Sequence, residues 1–354
     1  MKKTTTAAAG QGAAYVPVDS DFRLKDNAKE IGIDANYASQ SFWKDVFVRY
    51  FRKTSAVVGL ILIVLITTMA AIGPGMNGYT YSGQTLSEKN LAPRVKALEK
   101  FGILDGSETM RTTRGSKTIN NYVDKGLEDT YYWFGSDNFG RDIWTRTWSG
   151  ARVSLIIAVA AAIIDMLIGM SYGLISGYFG GKVDMVMQRI LEIANGIPRL
   201  VIVTLLLLVL QPGMVTIVIA LMLTEWVGMS RIARAEMLKL KEQEFVLASR
   251  TLGAGSFFII FREVLPNIIG PIITQVMFSI PTAIFTEAFL SFVGLGIPVP
   301  QCSLGSLISE GFNSFTTHPY QIIPPIVVMA LLMLSFNLVA DGLREALDPK
   351  LKEM

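Results

Sequence analysis

One apolar block of the chain reads RVSLIIAVAAAIIDMLIGMSYGLISGY and occupies residues 152–178. After Arg152 it contains a single charged side chain, that of Asp165. A helix needs about 20 consecutive apolar residues to cross the hydrocarbon core of a bilayer, and this block exceeds that length. The block therefore predicts a transmembrane helix, and it indicates that the whole chain is built for a membrane.

Five further apolar blocks lie on either side of it, at residues 55–72, 197–210, 214–229, 268–292 and 322–339. Over the whole chain 51% of the residues are hydrophobic and only 17% are charged, against about 25% charged in a typical soluble domain. Together these features predict an all-α integral membrane protein with six transmembrane helices, numbered span one to span six in chain order.

The composition argues against several other classes of protein. The net charge is only +3, and the basic residues cluster beside the apolar blocks, which is typical of membrane flanks and not of nucleic-acid binding. The single cysteine, Cys302, excludes an internal disulfide, and the single histidine, His318, leaves no histidine cluster for a metal. We therefore expect no metal site, and we interpret both residues as ordinary loop residues.

The N-terminal region divides into two parts. Residues 1–40 begin with two lysines but continue with small and polar residues, so no cleaved signal peptide is expected and the segment is predicted to be a flexible cytoplasmic tail. Residues 41–53 then mix aromatic and basic side chains at near-helical spacing. Such a segment predicts a helix in the membrane interface, so residues 41–73 hold an interfacial helix and span one.

The distribution of lysine and arginine predicts the orientation. Three basic residues lie between spans two and three and six between spans four and five, whereas residues 211–213 and 296–320 contain none. Because basic loops stay in the cytoplasm, both termini are predicted to be cytoplasmic, including the tail at 346–354. Residues 74–149 are then an extracytoplasmic loop, too long for a simple connection and therefore a small subdomain or a functional loop.

The loop between spans four and five, residues 241–266, begins KEQEFVLASRTLGAG. Phe245, Ala248 and Leu252 share one face of a short amphipathic helix, and Gly253 and Gly255 follow as a stop and a turn. Pro266 is placed to open span five, where its missing N–H costs nothing. A helix held between two spans suits force transmission to a soluble partner, although an ordinary connector would show the same pattern.

This loop resembles the EAA loop of ABC-importer permeases, in which Glu-Ala-Ala, three residues, Gly, nine residues and Ile-x-Leu-Pro follow one another. Ala248, Gly253 and the Leu265-Pro266 pair match in register, and Ser249 replaces the second alanine. Leu247 and Glu263 depart from the pattern, and Glu244 is the nearby acid. Four more segments are similar to oligopeptide and dipeptide permeases of the C type: FGSDNFGRD (134–142), SGARVSL (149–155), EAFLSFVGLGIP (287–298) and SFNLVADGLREALDP (335–349).

The resemblance implies a type I ABC importer permease fold, with residues 150–345 as the permease core, in a bacterial plasma membrane. It implies that the loop forms a coupling helix for an ATPase subunit, through Glu244, Phe245, Ala248, Ser249, Arg250, Leu252, Gly253, Ala254 and Pro266. The implied partners are a second homologous permease, two cytoplasmic ATPase subunits, an extracytoplasmic substrate-binding protein, a peptide substrate and the lipid bilayer. ATP and Mg would be bound by the partners, with no cofactor in this chain.

Oligopeptides are the expected cargo, with dipeptides or nickel as alternatives within the same family. A secondary transporter is a more distant alternative, because it normally contains two inverted halves and none is visible here. The nearest approach to a P-loop, Gly180-Gly181-Lys182, is followed by Val183, and Ser176 holds the place of the first glycine. No phosphate cradle is therefore expected, and the chain is predicted not to be an enzyme.

Two features inside the spans point to further contacts. Gly169, Gly173, Gly177 and Gly181 recur every fourth residue and predict close packing against another helix, either within this chain, which we favour, or in the second permease. Three acids, Asp165, Glu225 and Glu287, lie in apolar spans and need a partner or a water-filled cavity. Glu287 is a candidate for the peptide pathway, but an interior hydrogen bond is the favoured interpretation, and Glu225 beside Trp226 is interpreted as a membrane-face anchor.

Overall fold

The structure is a computed structural model, and it describes residues 42–112 and 115–347. The predicted tail at 1–40 lies outside the described residues, as does all but the start of the predicted tail at 346–354. The described residues are mostly helical, and one two-stranded hairpin is the single sheet among them.

Two helices open the described chain. α1 (Phe42–Arg52) is amphipathic and α2 (Thr54–Ile72) is apolar throughout, as expected for an interfacial helix followed by span one. Val46 and Tyr50 form the buried side of α1, and the Tyr50 hydroxyl donates a hydrogen bond to the Ala56 carbonyl at 3.1 Å. This bond holds the bend between the two helices.

The segment between α2 and span two is folded, and residues 76–142 are called the outer cap below. It contains an antiparallel hairpin, β1 (Ser107–Thr112) and β2 (Gly115–Asn120), followed by the short helix α3 (Asn121–Asp124). Leu91, Tyr122 and Tyr132 form a small buried core of its own. The sequence predicted either a subdomain or a functional loop here, but it did not predict the hairpin.

Span two is longer than its apolar block. α4 (Ile143–Ile164), a π-helical segment (Asp165–Gly169) and α5 (Met170–Phe179) form one continuous helix of 37 residues. The predicted boundary at 149–150 was wrong, because Asp142 caps the helix: its carboxylate accepts a hydrogen bond from the Thr145 N–H at 2.7 Å. The polar first turns of α4 therefore precede the apolar block in the chain, and hydropathy could not predict that they belong to the helix.

Span three is bent. α6 (Gly181–Gly196) and α7 (Arg199–Val209) meet at 80°. The predicted span at 197–210 corresponds to α7 alone, which has only 11 residues and at 1.5 Å per residue is too short to cross a bilayer. Pro198 separates the two helices, because proline lacks the N–H for a helical bond and forces Ile197 into an extended conformation.

The remaining elements complete the membrane core, with the predicted spans four, five and six present but longer than expected. They are α8 (Met214–Thr224), α9 (Trp226–Leu240), α10 (Glu244–Thr251), α11 (Ser256–Phe258), a π-helical segment (Ile259–Val264), α12 (Leu265–Phe292), α13 (Leu304–Asn313) and α14 (Ile323–Leu347). α12 is central and packs against α4, α9, α13 and α14.

Among the described residues five helices are long and apolar enough to cross a membrane, and six are if the bent pair α6–α7 counts as one span. The prediction of an all-α membrane protein is therefore confirmed. The sixth crossing rests on the bent pair and not on a continuous helix.

Candidate coupling site and membrane interior

α10 stands on the ends of two membrane helices. Its one buried side chain, that of Val246, has no exposed surface and lies in an apolar cluster with Leu174 of α5 and Met237 of α9. The Arg250 guanidinium lies 4.9 Å from the centre of the Tyr178 ring, a cation–π contact to the end of α5. α10 is therefore in direct contact with the ends of spans two and four.

The end of α10 is a Schellman turn. The Gly253 N–H donates to the Arg250 carbonyl at 2.9 Å, and the Ala254 N–H donates to the Ser249 carbonyl at 3.0 Å. Gly253 has φ +83°, a left-handed conformation that a side chain disfavours. Gly255, by contrast, has φ −70° and precedes α11, so it needs no special conformation.

The apolar face predicted for this helix points away from the chain. Leu252 is 87% exposed and Phe245 is 38% exposed, and Ala248 beside them is exposed too. Glu244 is exposed in the first turn, where its charge favours the helix N-terminus. The anchoring residue, Val246, was missed because its neighbours on that face are not apolar, so no stripe marked it.

Pro266 does not open span five. The helix runs without interruption from Ser256 to Phe292, and Pro266 follows the π-helical segment Ile259–Val264. The prediction was wrong because a π-turn alters the hydrogen-bond ladder ahead of the proline. The loop that carries α10 therefore ends near Gly255 and not at Pro266.

The glycine face of span two packs within this chain. A Cβ on Gly173 would lie 2.1 Å from the Ser230 carbonyl oxygen, and one on Gly169 would lie 2.5 Å from that of Trp226. A Cβ on Gly177 would meet Met237 at 2.9 Å. All three glycines thus let α9 approach closely. Gly181 is not part of this face, because the helix ends at Phe179 and a Cβ on Gly181 would meet no atom within 4 Å.

Glu287 is enclosed by serines. It has no exposed surface, and it accepts hydrogen bonds from Ser154 at 3.0 Å and from Ser291 at 2.7 Å. Ser154 Oγ also accepts from the Leu304 N–H at 3.1 Å, at the start of α13. These contacts join α4, α12 and α13, and they fit the interior hydrogen-bond interpretation better than an open pathway.

The other two acids have different surroundings. Glu225 lies 2.9 Å from the Arg199 guanidinium, and this ion pair ties the start of α7 to the junction of α8 and α9. Asp165 is 3% exposed and begins the π-helical segment of span two. Its Oδ1 has no hydrogen-bond partner in the described part of the chain, and Ser279 and Glu225 are its polar neighbours.

Comparison with known proteins identifies the family. Residues 169–353 match the model of the binding-protein-dependent transport system inner membrane component, and residues 41–93 match that of the N-terminal TM domain of oligopeptide transport permease C. The first match alone covers more than half of the chain.

The chain belongs to this family.

Individual relatives agree with the match. The oligopeptide transport system permease protein OppC of Bacillus subtilis (strain 168) is 42% identical over 315 residues, which are 89% of this chain and 92% of the relative. The dipeptide transport system permease protein DppC of Lactococcus lactis subsp. cremoris is 40% identical, over 88% of this chain and 92% of the relative. Among solved structures, the inward-facing MetNI methionine ABC transporter is similar over 57% of this chain and 96% of that chain, with 16% identity and a TM-score of 0.49.

The protein is therefore a multi-pass membrane permease subunit of an ABC importer. Membership of this family sets aside the secondary transporter that the sequence left open. No comparison tests the roles of individual residues, so the coupling residues and the acids remain predictions.

The permease also carries an ionic cluster that sequence reasoning missed. Arg141 and Arg146 are almost fully buried, and both pair with Glu310 of α13, at 2.6 Å and 3.0 Å. Arg141 pairs with Asp137 as well, at 2.6 Å. This cluster, called the outer clamp, fastens the outer cap and the first turns of α4 to α13. Because Glu310 lies 164 residues beyond Arg146 in the chain, no local sequence pattern predicts this cluster.

The two residues interpreted as ordinary loop residues are both buried in the permease. The Cys302 thiol donates to the Arg146 carbonyl at 3.4 Å, and burial raises the pKa of this thiol to about 11, so it stays protonated. His318 Nδ1 lies 2.9 Å from Glu108 Oε2 and joins the segment before span six to the β-hairpin. Burial also raises the pKa of the Asp142 carboxylate, although the hydrogen bonds from Thr145 and Asn77 act in the opposite direction and lower it.

Proposed function

We propose that this permease forms half of the pathway of an importer for oligopeptides. The support is that its relatives are named oligopeptide and dipeptide permeases and cover nearly the whole chain. A second permease would form the other half, two cytoplasmic ATPases would supply the energy, and an extracytoplasmic binding protein would deliver the peptide. Both termini and α10 would lie in the cytoplasm, and the outer cap would face the binding protein.

The observation that carries the coupling role is the placement of α10. It is a short helix anchored by Val246 and Arg250 to the ends of α5 and α9, while Phe245 and Leu252 remain exposed. A groove in an ATPase could take this exposed face, and its movement would tilt spans two and four. ATP and Mg would stay in the ATPase, so this chain would couple to hydrolysis without catalysing it.

Gly253→Arg tests the coupling role. The substitution places a side chain on a left-handed residue and breaks the Schellman turn, so we expect it to abolish ATP-driven uptake while insertion into the membrane stays normal. The measurements are uptake of a labelled oligopeptide by cells carrying the complete importer, and the amount of permease in the membrane fraction.

Gly255→Arg is the matched control, because it adds the same charge and bulk two residues away at an ordinary φ with open space around it. It should retain most of the uptake. Normal uptake by Gly253→Arg would contradict the assignment of α10 as the coupling helix. In the unaltered importer, uptake of labelled oligopeptide, labelled dipeptide and radioactive nickel is compared to identify the cargo; uptake of dipeptide or nickel without uptake of oligopeptide would replace the oligopeptide proposal with that cargo.

A further inference from the structure

The ion pair between Arg199 and Glu225 lies halfway through the membrane. In the apolar block of span two, twelve uncharged residues separate Arg152 from Asp165 and thirteen follow Asp165, so this acid is at the middle of the hydrocarbon core. Glu225 is a polar neighbour of Asp165, and Arg199 Nη1 lies 2.9 Å from Glu225 Oε1. The guanidinium of Arg199 is therefore at the same depth, far from the water on either side of the bilayer.

Arg199 is nevertheless not enclosed by this chain. Its side chain is 40% exposed, whereas that of Glu225 is 14% exposed. A charged group at the middle of a membrane is too costly to face hydrocarbon, and such groups face the interior of a helix bundle or a water-filled cavity. The exposed side of Arg199 therefore faces either the second permease or the pathway between the two permeases.

The interruption of span three favours the pathway. α6 and α7 meet at 80° beside Arg199, and residues 195–198 at this break are all exposed. Backbone that leaves a helix has unpaired polar groups, and at membrane depth it is tolerated only inside protein or along a water-filled cavity. In transporters, interrupted helices near the middle of the bilayer form substrate sites. The break therefore places Arg199 where a substrate would pass.

Part of the Arg199 guanidinium is free to donate. Nη1 donates a hydrogen bond to Thr286 Oγ1 at 2.9 Å and faces Glu225, while Nε and Nη2 donate no hydrogen bond in the described part of the chain. Glu225 already balances the positive charge and would repel a second carboxylate. The free N–H groups therefore suit a neutral acceptor, such as a carbonyl oxygen, better than another anion.

We propose that Arg199 binds the main-chain carbonyl oxygens of the peptide as it passes the middle of the membrane. Glu225 and Thr286 would hold the guanidinium from behind, and Nε and Nη2 would donate to the peptide. Every peptide carries these carbonyl groups, so the contact would not depend on the sequence of the cargo. The inference rests on the proposed function, because it takes a peptide as the cargo.

Photo-crosslinking during transport tests the position of the site. Ile197→benzoylphenylalanine replaces an apolar side chain that is 45% exposed at the break, in the complete importer. We expect irradiation during uptake of a labelled oligopeptide to attach the label to this permease. Leu65→benzoylphenylalanine is the matched control, because Leu65 is 52% exposed near the middle of span one, and it should give several-fold less labelling.

Arg199→Lys tests the chemistry of the contact. Lysine keeps the positive charge beside Glu225 but lacks the planar fork that leaves two nitrogens free. We expect peptide uptake to fall about fivefold, the order of one lost hydrogen bond, for peptides with a free and with an amidated C-terminus alike. Recovery of the second permease should stay normal. Arg189→Lys, at an exposed arginine of α6 that pairs with Glu192, is the control and should leave uptake unchanged.

Four results would overturn the inference. Labelling of the second permease without labelling by peptide at position 197 would assign Arg199 to the interface between the permeases. Equal peptide labelling at positions 197 and 65 would remove the site, and so would normal uptake by Arg199→Lys. A loss confined to peptides with a free C-terminus would replace the carbonyl groups with the terminal carboxylate. If the unaltered importer takes up no oligopeptide, the proposed function fails as well; normal uptake without peptide labelling at position 197 removes this inference alone.

Discussion

Gly173 lets two helices of the permease meet backbone to backbone. A Cβ at this position would lie 2.1 Å from the Ser230 carbonyl, so Gly173→Ala must push α5 away from α9. Overpacking of this kind costs about 1–3 kcal/mol, and we expect a lower melting temperature in detergent. Gly228→Ala, on α9 with no atom within 4 Å, should be neutral or slightly stabilising, because alanine is the better helix former. Equal melting temperatures for the two variants would show that the contact is looser than described.

Single residues were predictable where their own neighbours in sequence decide the outcome. The spacing of Gly169, Gly173 and Gly177 predicted a close helix contact, although it could not say which helix would come close. Val246 was not predictable, because the face of α10 that touches the permease is less apolar than the face that stays exposed. Periodicity finds an apolar stripe but does not tell whether the stripe meets the same chain or another one.

At the scale of elements, the outer clamp decides whether the outer cap moves with the membrane core. Glu310→Gln removes the carboxylate that faces both Arg141 and Arg146, and leaves two buried cations with only Asp137 beside them. Uncompensated buried charge is costly, so we expect the outer cap to loosen and to be cut faster by an added protease. The measurement is the rate of limited proteolysis of the full-length permease in detergent.

Glu192→Gln is the control for the clamp, because it breaks an ion pair with Arg189 in which both side chains are exposed, and such pairs contribute little. Its proteolysis should match that of the unaltered permease. If Glu310→Gln behaves in the same way, the outer cap is held by its apolar contacts and the clamp has no mechanical role.

The elements that were not predicted from the sequence were missed for related physical reasons. The stretches that form β1 and β2, SETMRT and GSKTIN, are mostly polar and show no regular alternation of apolar and polar residues. α13 starts with a capping box formed by Ser303 and Ser306, but it lies in a loop without a long apolar run. Span three was assigned to the apolar stretch 197–210, which begins one residue before Pro198, although this proline divides two helices.

At the scale of the whole molecule, hydropathy was enough to predict a polytopic membrane protein, because lipid imposes the same requirement on every span. It was not enough to separate surfaces that face lipid from surfaces that face another protein, since both are apolar. α7 shows the difficulty most clearly: Val203 is its one buried residue, and the rest of this short helix is partly or fully exposed.

We expect the second permease to cover α7. This helix is too short to cross the bilayer alone, and Leu208 and Val209 at its tip are 79% and 84% exposed, next to the turn before α8. Leu208→Ala with Val209→Ala should therefore reduce recovery of the second permease several-fold when the tagged complex is purified in a gentle detergent and analysed by mass spectrometry. Val64→Ala with Leu65→Ala is the matched control, because it trims the same pair of side chain types on the exposed side of span one. Equal recovery with both double variants would mean that α7 faces lipid, and the interface between the permeases would then have to lie elsewhere.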